Sequence, residues 1–142
     1  MRKLFISIST IWFAACAPKF PTLTPDEFEQ TIAGQNVQLV DVRTPEEYDK
    51  GYIAGAMNID WKSKEFAANA VRMLDESKKI AIYCKAGRRS HAAAGKLYTM
   101  GYKNIVELEG GFEAWQAAGK AFLQTEHHDA ESIITNYRKS DK

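Results

Sequence analysis

The chain has 142 residues, 45% of them hydrophobic and 26% charged, which fits one soluble globular domain and is too short for two. Nineteen basic and 18 acidic residues give a formal net charge of +1. This balance, without a long run of like charge, excludes the basic surface that nucleic-acid binding requires, so we expect no nucleic-acid partner.

The N-terminus has the pattern of an export signal. Two basic residues precede an apolar run over residues 4–15, which is shorter than the roughly 20 apolar residues that span a bilayer. Phe13-Ala14-Ala15-Cys16 then resembles a bacterial lipobox, with Phe in the place of the usual Leu. We predict a signal peptide over residues 1–16, lipid on Cys16, and a protein tethered to a membrane in the cell envelope or periplasm. Cleavage after Ala17 with simple secretion, or an uncleaved anchor, are the alternatives.

Capping chemistry predicts where the first helix begins. Residues 17–22 contain two prolines and are predicted to be a linker. In Thr24-Pro25-Asp26-Glu27 the threonine can cap, the proline suits the first helical position, and the glutamate can complete a capping box. We expect this helix to end near Gly34. The β-branched apolar run over residues 37–42 then predicts a buried strand.

The same capping pattern recurs at Thr44-Pro45-Glu46-Glu47 and predicts a short helix that stops at Gly51. A short strand is expected over residues 56–59. Residues 63–74 have apolar side chains at helical spacing and predict a further helix. Its apolar face is expected to carry Phe66, Ala70, Val71 and Leu74.

The second half of the chain repeats the alternation. Residues 79–83 predict a strand that leads into Cys84, and Ser90 is predicted to cap a helix that runs to Met100. A strand follows over residues 104–108. After a glycine turn, a short helix is expected over residues 112–118, with two aromatic residues in the core. These are Phe112 and Trp115. Strands alternating with helices predict an α/β fold, with a mainly parallel sheet and helices on both faces.

The domain is predicted over residues 23–121. Residues 122–142 are more polar and form a predicted C-terminal extension, partly helical over residues 129–138 and frayed at its end. His127 and His128 lie in this extension. Adjacent histidines near a polar terminus are more often solvated than metal-bound, and no second ligand cluster appears, so we predict no metal site.

The junction at Cys84 is the candidate site. Ligands bind at the carboxyl ends of strands in open α/β sheets, and the predicted strand ends there. The loop Lys85-Ala86-Gly87-Arg88-Arg89 leads into a helix N-terminus, where free amides and the helix dipole favour an anion. The same field lowers the pKa of a thiol and favours the reactive thiolate. Cys84 is therefore either an anionic nucleophile or, as the alternative, a buried structural cysteine.

Four segments in order resemble a single-domain rhodanese, and together they span about residues 22–121. The segments are LVDVRTPEEY, GYIAGAMNID, YCKAGRRSHAAAGKL and NIVELEGGFEAW. The resemblance implies a parallel sheet flanked by helices and a sulfurtransferase that needs no cofactor. It implies that Cys84 takes a sulfane sulfur from thiosulfate or a persulfide and passes it to a thiol or protein acceptor. It places Lys85, Ala86, Gly87, Arg88, Arg89 and Ser90 around the donor.

Two other functions compete with this one. A thiol-dependent phosphatase or arsenate reductase of the Cys-x5-Arg type requires arginine at position 90, where this chain has Ser90, and its arginine falls one place early at Arg89. A non-catalytic binding or sulfide-sensing module on the same fold is the second alternative, but inactive members of the family typically lack the cysteine found at Cys84.

Other polar residues have simpler interpretations. Asp41 and Arg43 lie at the end of a predicted strand and are expected to form an ion pair that supports the loop. His91 is expected to be exposed on its helix. Trp61 follows a predicted strand end and either lines the pocket or covers it.

Overall fold

The computed structural model describes residues 20–125. The predicted signal peptide over residues 1–16, the predicted lipidation site at Cys16, and the histidine pair and helix predicted beyond residue 126 lie outside the described residues. Within residues 20–125, no helix is long and apolar enough to cross a membrane.

Five strands and five helices alternate along the described residues. The strands are β1 Thr22–Leu23, β2 Val37–Asp41, β3 Met57–Asn58, β4 Lys79–Tyr83 and β5 Ile105–Leu108. The helices are α1 Pro25–Ile32, α2 Pro45–Asp49, α3 Phe66–Met73, α4 Arg88–Thr99 and α5 Gly111–Ala117. Among these elements, β1 has no counterpart in the sequence predictions, because two residues carry no periodic signal.

The predicted capping boxes begin α1 and α2. The hydroxyl of Thr24 accepts a hydrogen bond from the amide of Glu27, whose carboxylate accepts one from the amide of Thr24. Thr44 and Glu47 make the same reciprocal pair. Each box satisfies helix amides that have no partner inside the helix, so local sequence is enough to place these two helix starts.

All five strands are parallel, in the order β1-β5-β4-β2-β3. In the register of β2 and β4, Asp41 pairs with Tyr83, so the two strands end at the same level. Val42 and Cys84, the next residues along, therefore emerge side by side at the carboxyl edge of the sheet. The predicted parallel α/β sheet is confirmed.

Side chains of the central strands alternate between two cores. Val40, Ile80 and Ile82 pack with Phe66 of α3 and Leu97 of α4 on one face. The other face packs against α1 and α5, and its cluster includes Leu39, Tyr83, Phe28, Phe112 and Trp115. The predictions that helices cover both faces and that Phe112 and Trp115 are core residues are therefore confirmed.

Some predicted details differ from the structure. Phe20, which falls in the predicted linker, is 7% exposed and packs against His91, because β1 adds an edge strand that draws the preceding residue inward. Val71 is 68% exposed and lies off the buried face of α3. In the predicted C-terminal extension, Leu123 exchanges backbone hydrogen bonds of 2.8 Å with Tyr52, which holds the chain against the domain.

Candidate functional site

Cys84 directly follows β4 and is 1% exposed. The chain then turns through a short loop into α4, which begins at Arg88 with Gly87 as its N-cap residue. Gly87 has a φ of 100°, a left-handed conformation that glycine adopts without steric strain. This turn points the amides of the loop and of the first helical turn back toward the cysteine.

The contacts of the Cys84 thiol include polar groups of Gly87 and Ser90. The amide of Gly87 donates to Sγ over 3.1 Å, and the hydroxyl oxygen of Ser90 lies 3.5 Å from Sγ. The same hydroxyl lies 2.9 Å from the carbonyl oxygen of Gly87, and its single proton goes to one acceptor at a time. Ser90 was predicted to be the helix cap. It lies instead in the first turn of α4, fully buried, because Gly87 occupies the cap position.

These contacts favour the thiolate. Burial has the largest single effect on Cys84 and raises its pKa, because a charged sulfur is poorly solvated there. Hydrogen bonds from the Ser90 hydroxyl and from the amides of Ser90, Ala86 and Gly87 together outweigh burial. The pKa of Cys84 therefore lies below that of an ordinary thiol, which is the direction expected for a nucleophile.

The three cations of the loop have different surroundings. Arg89 makes a two-pronged ion pair with Glu47, with distances of 2.6 and 2.8 Å. The hydrogen bond from Arg89 is the main reason that the pKa of Glu47 falls to about 2. Lys85 lies 3.5 Å from Glu113 in an exposed pair. Arg88 is exposed and makes no ion pair with any residue in the range 20–125.

Asp41 and Arg43 form the predicted ion pair, and both are buried. The guanidinium of Arg43 bonds to both carboxylate oxygens of Asp41 and donates to the carbonyl oxygen of Gly51 over 2.6 Å. It also lies 4.2 Å from the centre of the Phe112 ring. The amide of Phe112 in turn donates to the carbonyl oxygen of Cys84 over 2.8 Å. The pair therefore supports the backbone of the cysteine and makes no contact with its sulfur.

The start of α5 packs directly on the loop. Besides the bond from Phe112, the amide of Glu113 donates to the carbonyl oxygen of Lys85 over 3.0 Å. Gly111, at the first position of α5, has a φ of 62°. A Cβ atom there would lie 2.5 Å from the carbonyl oxygen of Cys84, so the approach of α5 requires glycine.

Among the cavities that border the loop, two are lined by several loop residues. The first, here called the Trp61 cavity, has a volume of about 550 Å³ and is lined by Trp61, Lys62, Cys84, Lys85, Ala86, Arg88, Arg89 and Ala92. The second, the Glu107 cavity, has a volume of about 510 Å³ and is lined by Thr22, Ala86, Gly87, Arg88, Ser90, His91, Glu107, Leu108, Glu109 and Gly110. In residues 20–125, no group of three or more histidine, cysteine, aspartate or glutamate side chains is arranged to hold a metal ion.

Comparison with known proteins assigns this fold and loop to a family. Residues 24–118 match the family of rhodanese-like domains. The chain belongs to the rhodanese family. The rhodanese-related protein from Thermoplasma volcanium has a similar structure, with a TM-score of 0.63 and 30% sequence identity. The match covers 73% of this chain and 98% of that one.

Relatives of this rhodanese domain include sulfurtransferases. Thiosulfate sulfurtransferase GlpE of Pseudomonas fluorescens is 32% identical over 101 residues, which are 71% of this chain and 90% of GlpE. The probable adenylyltransferase/sulfurtransferase MoeZ of Mycobacterium tuberculosis is 36% identical over 103 residues. That match covers 72% of this chain but only 26% of MoeZ, so the chain spans about a quarter of that relative. Family and relatives together support sulfur transfer in general terms.

The rhodanese domain brings most of the predicted site residues together, and it adds three that the sequence predictions missed. Glu47 was interpreted only as a capping residue, and Gly111 only as part of a turn. Glu107 is a buried carboxylate inside the otherwise apolar strand β5. A charged residue within an apolar strand was a signal that could have identified Glu107, whereas no local signal indicated the partners of Glu47 and Gly111.

Proposed function

We propose that this rhodanese domain is a sulfurtransferase in which Cys84 is the catalytic residue and carries the sulfur as a persulfide. The observation that supports this most directly is the arrangement at Sγ, where the Gly87 amide and Ser90 hydroxyl favour the thiolate despite its burial. The same donors can also stabilise the negative charge on the outer sulfur of a persulfide, which lies one bond beyond Sγ.

The reaction consists of two displacements at sulfur. The Cys84 thiolate attacks the outer sulfur of thiosulfate, the bond between the two thiosulfate sulfurs breaks, and sulfite leaves with the electron pair. A persulfide donor reacts in the same way and releases a thiolate. A thiophilic acceptor, such as cyanide, a small thiol or a protein thiol, then attacks the outer sulfur of the persulfide and releases the Cys84 thiolate. Electron pairs move only between these groups, so the scheme balances without a cofactor.

The cations of the loop bind the anionic donor. Arg88 has no carboxylate partner among residues 20–125 and lines the Trp61 cavity beside Cys84, so its charge is available to the donor. Arg89 and Lys85 line the same cavity, but their charges are partly offset by Glu47 and Glu113. We expect Arg88 to contribute most to donor binding, and the backbone amides from Ala86 to Ser90 to hold the transferred sulfur.

The test is sulfur uptake measured by intact mass. After incubation with thiosulfate and removal of excess reagent, the protein should gain the mass of one sulfur atom, which cyanide then removes. Cys84→Ser is the matched control and should gain nothing. The assignment fails if that variant takes up the same sulfur.

Turnover separates the competing functions. A sulfurtransferase turns over thiosulfate and cyanide, whereas a non-catalytic binding or sensing module does not. Hydrolysis of an aryl phosphate by the wild type, lost in Cys84→Ser, would favour the phosphatase instead.

We also propose that the protein is exported and held at a membrane by lipid on Cys16. The support is the sequence of residues 1–16, in which a charged start, a short apolar run and two small residues precede the cysteine. Intact mass of protein from native membranes should show cleavage before Cys16 and an added lipid. Cys16→Ser should leave the protein unlipidated. A wild-type mass without lipid would overturn this proposal.

A further inference from the structure

The Glu107 cavity shares Ala86 and Arg88 with the Trp61 cavity, but the charged residues in the rest of its wall are different. Two carboxylates, Glu107 and Glu109, line it, and among residues 20–125 Arg88 on the shared wall is its only lysine or arginine. The Trp61 cavity is lined by two lysines and two arginines, and by no carboxylate from the described part of the chain. Lysines and arginines therefore dominate the charge of the Trp61 cavity, whereas carboxylates outnumber arginine in the Glu107 cavity.

Glu107 is an unusual residue for the wall of a cavity. It is 5% exposed, and its Oε2 atom lies 3.0 Å from Nδ1 of His91. Its other oxygen, Oε1, is buried and has no hydrogen-bond partner among residues 20–125. A buried carboxylate with unused acceptor capacity is destabilising unless a positive charge or donor lies close by.

Residues that line the Glu107 cavity also contact the sulfur of Cys84. Gly87 and Ser90, the two residues whose polar atoms contact Sγ of Cys84, also line this cavity. Gly87 has no side chain, and a Cβ atom placed on it would have no heavy atom within 4 Å. A ligand bound in the Glu107 cavity can therefore extend over Gly87 toward a sulfur carried on Cys84.

We propose that the Glu107 cavity is the acceptor subsite, and that it binds a thiol that carries a primary ammonium group. Glu107 and Glu109 hold the ammonium, and the thiol reaches over Gly87 to the persulfide. The anionic donor uses the Trp61 cavity, because the carboxylates repel it from the other side. This inference rests on the proposed sulfurtransferase function and specifies the chemical class of its acceptor.

The transfer step balances. The acceptor thiolate forms a bond to the outer sulfur of the persulfide, the bond from that sulfur to Sγ breaks, and Cys84 leaves as a thiolate. The product is the persulfide of the aminothiol. No oxidant or reductant is consumed, because the sulfane sulfur moves from one thiolate to another.

The experiment compares acceptors of equal length and different charge. With thiosulfate as donor, kcat/KM is measured for cysteamine and for its neutral analogue 2-mercaptoethanol. In Glu107→Gln and Glu109→Gln, the ratio of the cysteamine value to the 2-mercaptoethanol value should fall about tenfold relative to wild type. Comparing ratios cancels both the different thiol reactivities and any general loss of active protein. Glu76→Gln, an exposed glutamate outside the cavity, is the matched control and should keep the wild-type ratio.

An unchanged ratio in both cavity variants would overturn the proposal. Binding is also measured without turnover, by NMR titration with S-methylcysteamine against the neutral 2-(methylthio)ethanol. The amine should shift the backbone signals of His91, Glu107 and Glu109, and the neutral compound should not. Equal shifts with both compounds, or none, would count against the ammonium site. If the protein binds the amine but does not turn over thiosulfate, the sulfurtransferase proposal fails and the ammonium site stands as a ligand site.

Discussion

Glu47 and Arg89 are 42 residues apart in the chain, yet the carboxylate of one receives two hydrogen bonds from the guanidinium of the other. Glu47 also completes the capping box of α2, so one carboxylate both begins that helix and holds the arginine beside the cysteine loop. The ion pair therefore connects the second strand–helix unit of the sheet to the start of α4, and it fixes the direction of one of the three loop cations.

Replacing Glu47 with Gln should lower the free energy of unfolding by about 1 kcal/mol at neutral pH, because the two-pronged pair is lost. Glutamine can still complete the capping box with Thr44, so the change removes mainly the charge. Urea denaturation followed by circular dichroism measures the difference. Glu27→Gln is the matched control, since Glu27 caps α1 in the same way and has no arginine partner within residues 20–125. Glu27→Gln should lower the free energy of unfolding by less than Glu47→Gln does.

The same pair has a defined pH dependence. The pKa of Glu47 falls to about 2 in the folded protein from an ordinary value of 4.5. A lowered folded-state pKa contributes stability that is complete above pH 4.5 and is lost as the pH falls toward 2. The difference in the free energy of unfolding between wild type and Glu47→Gln should therefore be constant from pH 7 to 5 and shrink between pH 4.5 and 2. A difference that grows on acidification would contradict the ion pair.

Replacing Ser90 with Ala should raise the pKa of Cys84, because the hydroxyl is the largest of the groups that lower it against the effect of burial. The thiolate fraction near neutral pH then falls, and sulfur uptake from thiosulfate should slow about tenfold. Iodoacetamide alkylation as a function of pH measures the thiolate directly, and its midpoint should move to higher pH. Ser77→Ala, an exposed serine that bonds to Asp75, should leave this midpoint unchanged.

Replacing Asp41 with Asn should cost about 3 kcal/mol of stability, because it leaves the buried guanidinium of Arg43 without its counter-charge. Sulfur uptake by the remaining folded protein should change less, since neither side chain contacts Sγ of Cys84. Urea denaturation and uptake by intact mass are measured on the same sample. Loss of uptake as complete as in Cys84→Ser, with full stability, would instead show a direct catalytic role for Asp41.

Sequence alone was sufficient wherever short-range chemistry decides the structure. Thr24 and Thr44 are each followed by a proline and, three residues on, by a glutamate, and both helices begin as these motifs predict. Cys84 falls at the carboxyl edge because an apolar β-branched run ends there. Ser90 shows the limit of such rules. A serine near a helix start is typical of a cap, but here glycine takes the cap and the hydroxyl turns toward the sulfur.

Contacts between distant segments were beyond the reach of the sequence. The pairs Glu47–Arg89, His91–Glu107 and Gly111–Cys84 form only once the strand order β1-β5-β4-β2-β3 is fixed. No local propensity encodes which helix N-terminus meets which loop. These contacts determine which loop cations have carboxylate partners and which cavity carries carboxylates, so the proposal of separate donor and acceptor sides required the fold.

Replacing Gly111 with Ala should destabilise the domain by about 3 kcal/mol and slow sulfur uptake. The added Cβ would lie 2.5 Å from the carbonyl oxygen of Cys84 and 2.7 Å from that of Lys85. Both are backbone atoms, so either α5 moves away or the loop shifts, and the bond from the Phe112 amide to Cys84 is lost. Urea denaturation gives the stability change, and intact mass after timed thiosulfate exposure gives the uptake rate.

Gly119→Ala separates the contact from backbone strain. Gly119 has a φ of 70°, close to the 62° of Gly111, but a Cβ atom there would have no heavy atom within 4 Å. This variant therefore carries only the strain of a left-handed alanine, about 1 kcal/mol, and should take up sulfur at the wild-type rate. The difference between the two variants measures what the close approach of α5 contributes to the loop. Equal losses of stability and of sulfur uptake in the two variants would mean that the loop keeps its shape without the close approach of α5. The other contacts of Cys84 would then be sufficient to hold the loop.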